Sequence, residues 1–215
     1  LVFIAYMIGL SIGVHLLNLL VIPAIVFIYY FKKYETSKWG IIKSAALSIV
    51  ILGVIMWGII PGVIIVAGWF ELMFVNSFGL PFNSGVIVYA LLLIAGLTYG
   101  IRYTLKHNHT IVNTILTCFV VMIIGYSCYA MVVIRSVSNP PIDENSPDNV
   151  FALLSYISRD QYGQEPLVYG PYYNAPVIGV EDAGPIYYQN EKTGKYDIVD
   201  YKKDVKYDPR FCTVL

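Results

Sequence analysis

A small set of side chains combines a reactive type with a telling position. His15 and Asn18 lie one helical turn apart inside an apolar run. A polar group at such a depth is costly and is retained for function or for hydrogen bonding between helices. An imidazole there can bind a phosphate, act as a general base, or brace the packing. Asn18 can share its face. Glu71 is the only acid between Lys38 and Lys106. It reads as a base, an ion-pair partner, or an interfacial carboxylate with its head in water. Asn76 and Asn83 flank a Gly/Pro turn, where Asn is also ordinary turn chemistry. Arg135 closes a long apolar run, and Asn139, Asp143 and Glu144 follow it. A guanidinium matches phosphate geometry, and it can equally reach for lipid headgroups. The bare pair Asp143-Glu144 reads as a solvated loop rather than a metal site, and no metal is expected.

These residues hang on a strongly divided chain of 215 residues, 57% hydrophobic and 13% charged. Soluble domains carry about twice that charge. Residues 1–134 hold two acids, Glu35 and Glu71, and the other twelve lie beyond residue 140. A membrane half is joined to a polar half. About twenty apolar residues cross a bilayer core. The run 1–31 is too long for one span and too short for two. Gly9, Ser11 and Gly13 soften its middle, and it reads as a helix end over about 1–10, a short break that holds His15 and Asn18, and a helix over about 14–31. Further spans are expected over about 41–60, 85–103 and 110–134, four to five in all within residues 1–135. The connection 61–84 is apolar and aromatic, and reads as an interfacial or re-entrant helix beginning at Pro61. The loops near 32–43 and 102–109 hold six Lys or Arg, whereas 61–84 holds none. The positive-inside rule makes the first two cytoplasmic. Residues after about 135 then lie outside, in the periplasm of an inner-membrane protein.

That outer part, residues 136–215, reads as a small α+β segment. Asp148 is expected to cap a helix over about 149–161. Strands are expected at 185–189 and 196–201 around a turn at 191–195. Cys118, Cys128 and Cys212 give no disulfide framework and no metal-ligand spacing. His107 and His109 read as surface residues of a loop. There is no Gly-rich phosphate loop, HExxH or GxSxG motif, and no nucleic-acid surface.

Three runs resemble a family of large bacterial membrane proteins described as protein O-mannosyltransferase-like. They are Gly9-Leu-Ser-Ile-Gly-Val-His-Leu-Leu-Asn-Leu-Leu20, the stretch from Phe70-Glu-Leu to Leu80-Pro-Phe-Asn-Ser-Gly85, and Asn139-Pro-Pro-Ile-Asp-Glu-Asn145 with Ser155-Tyr-Ile-Ser-Arg-Asp-Gln-Tyr-Gly163. The resemblance implies a mostly α, polytopic transmembrane helical bundle of the GT-C type. It implies transfer of a sugar, of the mannose kind, from a polyprenyl-phosphate donor to an extracytoplasmic protein or glycan acceptor. It also implies that this stretch is internal to a longer chain, with the principal catalytic acid upstream of Leu1. His15 and Arg135 would then serve the donor phosphate. Glu71 and Asn83 would line the outer cavity, and Asn18, Asn76, Asn139 and Asp143 are further substrate-binding candidates. No cofactor beyond the lipid-linked sugar is implied. A transporter or a non-catalytic envelope scaffold is the competing reading, since broken helices also suit transport.

Overall fold

The computed structural model describes residues 1–163 and 169–214. Its first two thirds are helical. Helix α1 runs Val2–Val14 and is followed by a 3-10 turn, Leu16–Leu20, and by α2, Val21–Lys33. Helix α3 (Lys38–Gly53) continues through a wide π-helical turn at Val54–Ile59 into α4 (Ile60–Leu72) and a second such turn at Met73–Ser77. Then come α5 (Ser84–Lys106), α6 (Thr110–Tyr126) and α7 (Tyr129–Val137). Four helical stretches are long and apolar enough to cross a membrane: Leu16–Lys33, Lys38–Ser77, Ser84–Lys106 and Thr110–Val137. The apolar helix Val2–Val14 is shorter.

The break in the first run holds His15 and Asn18, as expected: His15 is extended at φ −160° and ψ 125°, and Asn18 lies in the 3-10 turn after it. Gly9, Ser11 and Gly13 all stay within α1. Ser11 turns its hydroxyl back onto the carbonyl of Ile8 at 2.8 Å, so its polarity is satisfied inside the helix. One expectation about the spans is corrected: no helix ends at Pro61. A proline lacks the N–H of the ladder, and the π turn before it already shifts the bonding: Ile60 N–H reaches back five residues to Ile55. Pro61 then sits in the first turn of α4, where its missing donor costs little. The unbroken stretch Lys38–Ser77 is 40 residues long. At about 1.5 Å per residue it measures about 60 Å, roughly twice a hydrocarbon core. Part of it therefore lies beyond the hydrocarbon or runs aslant to it.

The helices alternate in direction. Tyr30 of α2 abuts Gly40 of α3 across a tight hairpin, which the Tyr30 hydroxyl ties by accepting from Ser37 N–H at 3.1 Å. Asn113 of α6 bonds the Ile101 carbonyl and the Thr104 hydroxyl of α5 across the next basic turn. Helix α1 runs parallel to α6, because Gly9 meets Met122 while Gly13 meets Cys128 further along both. Since α2 and α6 run oppositely by the same path, the chain reverses at the His15 corner instead of continuing through one broken span. The α1–α6 crossing is very close: a Cβ on Gly9 would sit 2.2 Å from the Met122 carbonyl oxygen, and one on Gly125 would sit 2.7 Å from Tyr6 O. Small residues allow such approach between apolar helices.

Helix α8 (Val150–Ser158) lies across α4, with Phe151 over Gly68. Its cap is Asn149 rather than the expected Asp148. The Asn149 side-chain Oδ1 accepts from Phe151 and Ala152 N–H, both at 3.0 Å. One buried cluster joins Ile12, Ile22, Ile60, Ile64, Met122 and Ile157 across five helices. The hairpin β2 (Val177–Asn190) and β3 (Lys195–Tyr207) is far longer than expected, although its turn falls where expected. Gly194, at φ +65°, closes that turn. Short strands β1 (Tyr169–Pro171) and β4 (Cys212–Val214) form a second antiparallel pair.

Candidate functional site

Two polar centres emerge. The first is a cleft of about 190 Å³ where the α1 corner, α7 and the end of α8 meet. His15, Tyr129, Glu144, Tyr156, Arg159 and Tyr162 supply its polar lining. His15 occupies the corner as the cap of the 3-10 turn, its Nδ1 accepting from Leu17 N–H at 3.1 Å. An accepting Nδ1 places the proton of the neutral ring on Nε2, which is left as a donor. Arg159 terminates α8 in the left-handed conformation at φ 58°. This is uncommon for a residue with a Cβ, and it swings the chain into a short 3-10 turn, Asp160–Tyr162. The guanidinium carbon then lies 5.2 Å from the Tyr162 ring centroid. Asp160 beside it is ion-paired with Lys202 of β3. The cleft thus holds a fixed cation, an imidazole donor, a carboxylate and three phenols.

The second centre is closed. Glu71 is fully buried, and its carboxylate accepts from Asn83 N–H at 2.5 Å, Val86 N–H at 3.1 Å and the Tyr196 hydroxyl at 3.1 Å. The two N–H groups belong to the start of α5, where a negative charge also meets the positive end of the helix dipole. Asn83, at φ 69°, holds the left-handed turn that aims them. Asn76 clips the hairpin to the same spot. Its amide donates to the Tyr196 carbonyl at 2.8 Å and accepts from Tyr196 N–H at 2.9 Å. The Tyr196 ring packs edge-on against Phe82 and Phe151. Burial pushes the Tyr196 phenol well above its ordinary range, against the hydrogen bond from Gln189, and the Glu71 charge pushes the same way. The phenol therefore stays protonated and donating.

The sequence candidates are dispersed among these places. His15 lines the cleft, while Asn18 reaches back to the Ser11 carbonyl at 3.4 Å. Glu71, Asn76 and the Asn83 backbone form the closed node, so Glu71 faces no opening. Arg135 is exposed at the end of α7 and does not line the cleft. Asn139 adopts φ 48° in the turn that follows. Asp143 accepts from Ser136 at 2.7 Å. Among the described residues no three metal-ligating side chains gather. Arg159, Tyr129, Tyr156 and Tyr162 were not singled out by type or spacing. The signal for three of them was the Ser155–Gly163 run, whose helix stops at an arginine with no glycine before Gly163.

Residues 1–38 match the family described as the N-terminal domain of the protein O-mannosyl-transferase TMEM260. Residues 163–215 match a family of unknown function, DUF8416. No curated protein and no solved structure matches.

Proposed function

We propose that the protein is a multi-pass membrane glycosyltransferase of the O-mannosyl-transfer kind, and that the His15–Arg159 cleft receives the phosphate and sugar of a polyprenyl-phosphate donor. One observation carries this reading. The segment similar to an O-mannosyl-transferase domain, residues 1–38, is the one that places His15 on the cleft, opposite a cation from a different part of the chain.

In the reaction the acceptor hydroxyl oxygen bonds to the anomeric carbon, and the bond from that carbon to the phosphate oxygen breaks. The electron pair leaves with the polyprenyl phosphate. Arg159 and the Nε2–H of His15 oppose the charge that develops there, a preorganised electrostatic contribution that does not require solvent to rearrange. The three phenols offer rings and hydroxyls to a hexose. The hydroxyl proton passes to a carboxylate. Glu71 is not that base, because three donors already occupy it. Glu144 lines the cleft. The loop charges support an outer, periplasmic location for donor and acceptor.

The test is transfer of radiolabelled mannose from polyprenyl-phosphate mannose to envelope protein by the protein reconstituted in lipid. Arg159→Ala should lower transfer on the order of 100-fold, the scale of one lost charge-stabilising donor. His15→Ala should lower it less, and Arg135→Ala should leave it near wild type. No transfer by well-folded wild type from any sugar donor would end the transferase reading in favour of a transporter or scaffold. Loss in Arg135→Ala but not in Arg159→Ala would move the donor phosphate away from the cleft.

A further inference from the structure

Two residues of β3 are drawn in from solvent. Of the thirteen in the strand, Tyr196 is buried, Lys202 is half-buried, and the rest are exposed. Tyr196 is held by Asn76 and Glu71 and packs on Phe151 at the start of α8. Lys202 is paired with Asp160, just beyond the end of α8. The strand therefore runs along α8 in the same sense and is pinned near both ends of the helix. Asp160 follows directly on Arg159, the fixed cation of the cleft.

A carboxylate beside a guanidinium is its natural partner, since the two match in charge and in bidentate geometry. An arginine engaged in that way has fewer donors and less net charge to offer a phosphate. Here the neighbours stay apart. Lys202 Nζ donates to an Asp160 carboxylate oxygen, and neither of these two residues lines the cleft. Arg159 does line it, with its guanidinium over the Tyr162 ring, and forms no salt bridge among the described residues. The negative charge closest in sequence to the cation is thus neutralised outside the cleft, by a residue from the hairpin.

We propose that Lys202 is a positioning residue for the phosphate site: by pairing with Asp160 it keeps that carboxylate off Arg159, so the guanidinium stays available to an anionic ligand. This role rests on the reading of the His15–Arg159 cleft as a polyprenyl-phosphate site. It makes the hairpin part of the site without lining it. The pair is only partly desolvated, with 40% and 26% of the two side chains exposed. Loss of Lys202 should therefore weaken the ligand about five-fold, the upper scale of one exposed ion pair.

The test is equilibrium binding of tritiated polyprenyl phosphate, without sugar, to the protein in lipid nanodiscs. Lys202→Ala should bind about five-fold more weakly than wild type. Asp160→Asn should bind as tightly as wild type or more tightly, because the competing charge is gone. The double variant Lys202→Ala/Asp160→Asn should recover wild-type affinity. Lys203→Ala removes an exposed ion pair to Asp182 from the next position of the same strand. It should leave affinity unchanged and controls for damage to the hairpin. A lysine that merely tethers the turn behaves differently, since both single variants and the double would then lose affinity alike. That pattern overturns the proposal, as does full affinity in Lys202→Ala or equal loss in Lys203→Ala. Arg159→Ala separates this role from the reading on which it rests. No binding by wild type, or binding that Arg159→Ala leaves untouched, would end the phosphate-site reading and this role with it.

Discussion

Glu71 illustrates how a charge is kept inside an apolar chain. Its cost of burial is offset by two helix-start N–H groups and one phenol, which meet no other acceptor among the described residues. Removing the acceptor leaves those donors buried and unpaired, at about 1–3 kcal/mol each. Glu71→Ala should therefore destabilise the protein by about 3 kcal/mol or more, read as a lowered Tm in detergent. Glu71→Gln, which keeps one acceptor oxygen, should cost less. An unchanged Tm in the alanine variant would contradict the assignment. The Tyr196 phenol carries a pH signature. Its folded value is raised by burial above the unfolded value of about 10. The neutral phenol's contribution is present in full below pH about 10 and fades as the pH climbs toward the folded value. Wild type should lose stability above that pH, and Tyr196→Phe should lose less over the same range. Equal loss in both would sink the idea. The buried role of Glu71 was not legible in the sequence, because its partners lie 12, 15 and 125 residues away.

At the scale of elements, the apolar runs identify the spans and the turn residues identify the hairpin, but the junctions escape such reading. Pro61 reads as a stop, yet a π turn absorbs it. Gly9 and Gly13 read as softening the run before the break at His15, yet Gly9 serves the α1–α6 crossing, a contact between segments more than 110 residues apart. A Gly125→Leu substitution places a side chain against Tyr6 and Leu10 backbone and should prevent folding or cut stability by several kcal/mol, the range of severe overpacking. Gly96→Leu should be tolerated. Size-exclusion behaviour and thermal unfolding in detergent separate the two, and tolerance of both would deny the crossing. Asn149→Ala should cost about 1 kcal/mol through the α8 cap. Asp148→Ala should cost less, which inverts the expectation from sequence alone. The cleft residues of α8 were hidden for a related reason. Arg159 gains its place from a left-handed backbone turn, and residue type alone does not announce one.

For the whole molecule, four membrane-length helices with the α1–α6 parallel pairing leave the basic turns 33–38 and 106–110 at one end and the hairpin at the other. In the proposed topology the basic end faces the cytoplasm, as loop charge favours. With the three native cysteines replaced by serine, Thr193→Cys should react with a membrane-impermeant maleimide applied outside, and Asn108→Cys should react only after permeabilisation. The reverse pattern would invert the topology and remove the outer-face donor from the account. In the proposed chemistry the His15–Arg159 cleft holds the donor phosphate. It is tested most directly with a polyprenyl-phosphate mannose carrying a diazirine next to its phosphate, photolysed on the reconstituted protein and mapped by peptide sequencing. Adducts are expected on residues 12–16 and 156–162, reduced by unlabelled donor and by Arg159→Ala. Adducts confined to α4 and α5 or to the surface around Arg135 would contradict that placement.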